Sequence, residues 1–211
     1  MCTISGSCNL KKAYSLYKAG LERGNQSSGF IGVTNNNFKS LKQKDIFELD
    51  YLQEQMDSLQ ELPIYCLFHS RAPTNTTNQE FKINTTHPHA YKEWFVAQNG
   101  IIQNFESFPE SKDFKTDSAI IPFHLHRSKG NISQVFSGYT GLLTSWIYNS
   151  LTNKIYLVKA GSSLHMSEDS FSSVAFEGSD IVKKDGIVSK FNGMGFEMHS
   201  TFEYSSPYFI L

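Results

Sequence analysis

Met1-Cys2-Thr3-Ile4 opens the chain, and the cysteine in second place decides how the rest is read. Once Met1 is removed, Cys2 carries both a thiol and a free α-amino group. An α-amine has an ordinary pKa of about 7.7–8.0, so near neutral pH it is partly unprotonated and can take a proton. The thiol titrates about half a unit higher and is a strong nucleophile once deprotonated. One terminal residue thus supplies nucleophile and general base together, often through one water. Methionine aminopeptidases remove Met ahead of a small side chain such as cysteine. A Met-Cys start also occurs by chance, so the reading has to be carried by the rest of the chain.

The chain has 211 residues, 39% hydrophobic and 18% charged, with 19 Lys plus Arg against 20 Asp plus Glu. That length predicts one domain, or at most two small ones, with a sizeable core. The balanced charge and the lack of a basic run give no nucleic-acid footprint. Cys2, Cys8 and Cys66 are odd in number and match no zinc spacing. Cys8 and Cys66 read as buried small hydrophobes. His124 and His126 make no strong ligand pattern, so no metal and no cofactor is expected. No apolar run approaches a membrane span and no leader follows the start, so a reduced, cytoplasmic protein is expected.

Leu10, Ala13, Tyr14, Tyr17 and Leu21 fall on one helical face, capped by Asn9. Leu49, Leu52, Met56 and Leu59 repeat that spacing. Phe30 to Thr34, Ile64 to His69 and Trp94 to Gln98 read as strands, and residues 71–90 as an ordered loop. A helix is expected near Thr116, with Asp117 in its first turn. Leu142 to Tyr148 and Lys154 to Val158 read as paired strands around a turn. Val174 to Phe176 and Gly186 to Val188 read as further short strands. Mixed helices and antiparallel strands give an α+β class with stacked layers.

Several segments then fall in one order: Cys2, Arg23-Gly24-Asn25-Gln26-Ser27-Ser28-Gly29, His69-Ser70-Arg71-Ala72-Pro73-Thr74, His87-Pro88, Gln98-Asn99-Gly100, and Thr116-Asp117-Ser118. Together they resemble the class II glutamine amidotransferase domain, an N-terminal-nucleophile (Ntn) hydrolase. Leu157 to Leu164 is similar to the strand and turn near that domain's end. The resemblance, which runs from residue 2 to roughly residue 165, implies a four-layer α-β-β-α sandwich; the residues beyond it read as further short strands of the same domain, so one domain over 2–211 with no synthase domain in this chain is expected. It implies Cys2 as nucleophile, Asn99 and Gly100 as oxyanion hole, and Arg23 as a buttress of the terminal residue. It further implies Arg71 as the clamp on the glutamine α-carboxylate, Asp117 as the partner of its α-ammonium group, and Thr74 and His87 as pocket lining. The chemistry fits these residue types. Glutamine is a zwitterion, and a planar guanidinium suits its carboxylate while a carboxylate suits its ammonium.

The chain departs from the family pattern at Thr3, where glycine is usual, at Ala72, where an aromatic is usual, and at Gln98, where histidine is usual. Ala72 should loosen the loop over the pocket. Each site residue also has a plainer reading. Asn99-Gly100 is a favoured hairpin dipeptide, and its place after a strand lets turn and oxyanion donor be one object. Arg71 fits a surface ion pair, and Asp117 a helix cap. The expected reaction is hydrolysis of glutamine to glutamate and ammonia through a γ-glutamyl thioester. The ammonia would pass to a synthase or transferase on another chain. A stand-alone amidase on a γ-glutamyl compound, and a non-catalytic amino-acid-binding regulatory subunit, stay open as alternatives.

Overall fold

A computed structural model describes residues 2–72 and 82–205. Chain order runs β1 (Thr3–Ser7), α1 (Leu10–Gly20), β2 (Ser27–Val33), β3 (Phe38–Lys44), α2 (Leu49–Asp57), β4 (Tyr65–Arg71), β5 (His89–Tyr91), β6 (Trp94–Ile102), α3 (Ile120–Arg127) and α4 (Ile132–Ser137). It continues through β7 (Gly141–Asn149), β8 (Lys154–Ala160), β9 (His165–Met166), β10 (Ser170–Ser172), β11 (Asp180–Ile181), β12 (Ile187–Phe191) and β13 (Phe196–Thr201). The strands form two sheets, in the orders β11-β9-β10-β1-β4-β2-β3 and β13-β12-β8-β7-β6-β5. All strand pairings among the described residues are antiparallel.

Side-chain alternation sorts each strand between two faces. In β4, Tyr65 and Leu67 point between the sheets, where they meet Ile4, Ile31, Trp146, Tyr148 and Leu157. Cys66 and Phe68 point outward, against Leu10, Ala13 and Tyr17 of α1 and Leu52 and Met56 of α2. The second sheet repeats the plan. Its outer face, with Val96, Leu143 and Val158, is covered by Ile120, Ile121 and Leu125 of α3 and Val135 and Phe136 of α4. The result is four layers, α-β-β-α. Each side chain buried in full contributes about 1.5–3 kcal/mol, so a sheet buried on both faces has no surface on which register could slip cheaply.

Helix α1 follows its periodicity, and the Asn9 side chain accepts the Lys12 N–H at 3.0 Å. Strands β7 and β8 pair from Leu143↔Ala160 to Asn149↔Lys154, as the hairpin pattern predicts. Two expectations fail. Val174 to Phe176 is not a strand: the Phe176 and Ser179 N–H groups bond back to Ser179 Oγ and the Phe176 carbonyl, closing a turn. Asn99-Gly100 is not a turn either. Both lie inside β6, opposite Thr144 and Leu143. The local preference of Asn-Gly gives way to a nine-residue ladder. Among the described residues no helix is long and apolar enough to cross a membrane.

Candidate active site

Cys2 sits at the head of β1, and Thr3 pairs with Ser70 of β4. That register carries the thiol to the end of β4, where Sγ lies 3.7 Å from the Ala72 carbonyl oxygen. The next residue back, Arg71, is buried and ends β4. Its Nη1 reaches Gln26 Oε1 and Thr85 Oγ1, each at 3.3 Å. The arginine therefore joins the loop after α1 to the 3-10 turn at Ile83–Thr85. A plain surface ion pair does not describe it. Ala72 is itself packed, because a Cβ on Gly24 would come within 2.5 Å of it. Gly24 and Ala72 thus approach closely, and the loop that follows Ala72 lies outside the described residues.

Asn99 is buried, and its Nδ2 lies 3.4 Å from Ser173 Oγ. Gly100 has φ +147, and a Cβ there would stand 1.5 Å from the Leu142 carbonyl oxygen. Only glycine fits this backbone conformation and this approach. Arg23 donates from Nη1 to the Ser173 carbonyl at 3.0 Å. Arg23 and Asn99 thus converge on one serine that sequence reasoning did not single out. Its only sequence signal is a serine pair at the end of β10.

Asp117 opens a 3-10 turn leading into α3. Its Oδ2 accepts the Ile102 N–H at 2.6 Å. The carboxylate therefore ties the helix entry to the last residue of β6, instead of capping the turn alone. Burial pushes its carboxyl above the ordinary carboxylate value, and the Ile102 hydrogen bond works the other way. Burial likewise pushes the Cys2 thiol up, with the Arg71 charge opposing and the Asp117 charge adding to the rise. Both charged groups are thus within electrostatic reach of the sulfur.

His87 lies deeper. Its ring is buried between His69 and His89, with centroids 4.0 and 4.4 Å away. Among the described residues neither of its ring nitrogens has a hydrogen-bond partner. Its contacts are with these histidines, and no hydrogen bond joins it to Cys2. Thr74 lies outside the described residues. Among the described residues no group of three or more His, Cys, Asp or Glu is arranged to hold a metal ion.

Two facing antiparallel sheets between helical layers, with a cysteine heading a central strand, define the Ntn-hydrolase class of fold. No family model matches the chain, and no curated protein sequence does. Solved structures do match. One is glutamine phosphoribosylpyrophosphate (PRPP) amidotransferase from B. subtilis complexed with ADP and GMP, with a TM-score of 0.69 at 13% identity, covering 98% of this chain and 50% of that one. Another carries the description "structure of the allosteric regulatory enzyme of purine biosynthesis", with a TM-score of 0.70 at 14% identity and the same coverage. The chain spans half the length of each. At these identities the likeness is one of fold, and it is the fold of the class II glutamine amidotransferase domain.

Proposed function

We propose that the protein is a class II glutamine amidohydrolase of the amidotransferase type. Cys2, freed by removal of Met1, is the nucleophile. The observation that carries this reading is the place of Cys2, beside Arg71 at the end of β4 and within reach of the Asp117 charge. A cation and an anion flanking the sulfur suit the two ends of an amino-acid head group.

Burial keeps the resting thiol protonated, so a base has to take its proton as it attacks. The Cys2 α-amine is that base. The sulfur bonds to the side-chain amide carbon, and the proton passes by way of the amine to the departing nitrogen. The oxyanion is held by the Asn99 side-chain amide and the Gly100 N–H; a lost donor of this kind costs about 2.7–4 kcal/mol of transition-state stabilisation. Ammonia leaves a γ-glutamyl thioester, and water splits it to glutamate and free thiol. The ammonia goes to an acceptor enzyme on another polypeptide, which pull-down from native extract would recover as a stoichiometric synthase-like or transferase-like partner.

The test starts from intact mass, which should lack Met1. Glutamate release from glutamine is then compared in Cys2→Ala and Cys66→Ala. The first should be inactive and the second unchanged, because Cys66 is fully buried in the layer under α1. Equal activity in the two variants removes the nucleophile assignment.

A further inference from the structure

Ser173 makes five hydrogen bonds while only 1% exposed. Its N–H donates to the Ile4 carbonyl at 2.9 Å, and its Oγ accepts the Ile4 N–H at 3.1 Å. The same Oγ accepts from Asn99 Nδ2 at 3.4 Å. Its carbonyl accepts from Arg23 Nη1 at 3.0 Å and from Ser163 Oγ at 2.9 Å. One residue therefore fastens the strand that Cys2 heads, in the first sheet, to the Asn99 side chain, in the second.

We propose that Ser173 is a positioning residue for the reaction, setting the Asn99 amide and the start of β1 in one frame through its hydroxyl. This rests on the amidohydrolase reading above. With one amide N–H committed to Ser173, the other diverges from it by about 120°, the angle of a planar amide. The rotation of that amide is fixed before substrate arrives. Without the hydroxyl the amide is free to turn, and the Ile4 N–H loses its partner two residues from Cys2. A preformed oxyanion donor acts in the transition state and not in the ground state, so its misplacement shows in kcat.

The experiment is steady-state glutamate release by the full chain with Met1 removed, in Ser173→Ala, Asn99→Ala and the double variant. Ser173→Ala should lower kcat about 10- to 100-fold, the scale of a misplaced catalytic group, with KM for glutamine within about twofold. In the Asn99→Ala background the same change should cost clearly less than in the wild type, because one of the two features it positions is already gone. Ser173→Cys, which nearly keeps volume but offers a weak acceptor, should repeat the result and serves if Ser173→Ala does not fold. Unchanged kcat, or losses that multiply in the double variant, overturn the role of Ser173 while leaving the amidohydrolase standing. No glutamate from the wild type overturns both.

Discussion

His69 Nε2 lies 3.2 Å from the Gln98 carbonyl oxygen, a hydrogen bond that crosses from one sheet to the other. A carbonyl only accepts, so Nε2 carries the proton, and burial keeps the ring neutral. Two residues along β4 stands Arg71; one residue along β6 stands Asn99. The bond therefore fixes β4 against β6 close to Arg71 and Asn99. Trp146 Nε1 adds a second crossing, donating to the Phe68 carbonyl at 2.9 Å.

The neutral histidine stack makes stability depend on acid. Burial pushes His69 and His89 down to about 3, and His87 shifts well down in the same direction. Unfolded histidine titrates near 6.5. Between these values the unfolded chain binds protons that the native chain refuses. The contribution is thus complete above about pH 6.5 and is lost as pH falls toward about 3, at up to roughly 1.4 kcal/mol per pH unit for each ring. Urea midpoints measured from pH 7.5 to 5 should fall progressively, and His87→Leu should flatten the fall by one proton's worth. A profile that is level across that range contradicts the buried neutral stack.

Asp117 separates binding from architecture. In Asp117→Asn an amide oxygen still accepts the Ile102 N–H, but the charge that would meet an ammonium group is gone. KM for glutamine should rise about 10- to 100-fold, the equivalent of roughly 1.4–2.8 kcal/mol for a charge-assisted contact, with kcat near that of the wild type. Asp117→Ala removes the acceptor too, and should lower unfolding free energy by a further 1–3 kcal/mol or so. Unaltered KM in Asp117→Asn leaves the carboxylate a purely structural tie.

The burial that raises the Cys2 thiol also predicts the form of the pH–rate profile. A resting thiol needs an unprotonated amine, so kcat/KM should climb with pH as the α-amine loses its proton. A rate already level from pH 6 upward would mean a resting thiolate and would exclude the amine as base.

Some of this was legible in the residues alone and some was not, for physical reasons. Helix α1 and the β7–β8 hairpin declare themselves because their periodicity and turn are local. Strand β1 does not: Thr3-Ile4-Ser5-Gly6-Ser7 is short and mostly small and polar, yet fully buried. Its hydroxyls find partners across the sheet, Thr3 Oγ1 with Ser70 Oγ at 2.5 Å and Ser7 Oγ with Ser170 Oγ at 3.0 Å, and Ser7 Oγ also accepts the Asn9 N–H at 3.2 Å. Strand β3, with three lysines in Phe38–Lys44, hides for a related reason, since it is the sheet edge that lysine protects. Of the site, Cys2, Arg71, Asn99 and Asp117 stood out by residue type and order. Ser173 had no motif to announce it, because its importance lies in whom it bonds at separations of 74 to 169 residues.

Gly100 gives the sharpest stability test. Asn99-Gly100 pairs with Leu143 and Thr144 inside a continuous ladder, so the glycine is not there to turn the chain. It is there because φ is +147 and because the Leu142 carbonyl occupies the space of a Cβ. Gly100→Ala therefore meets two penalties at once. The backbone conformation alone costs on the order of 1–3 kcal/mol, and the collision must push β7 away from β6. The variant should lose at least about 3 kcal/mol of unfolding free energy, read as a lowered urea midpoint, and fall in activity even where it remains folded, because the displaced N–H is the second oxyanion donor of the proposed reaction. Ile101→Ala, at a half-exposed neighbour in the same strand, should cost far less. Comparable midpoints for the two variants would mean that the Leu142 carbonyl yields easily, and the close approach would then not be the reason for a glycine at position 100.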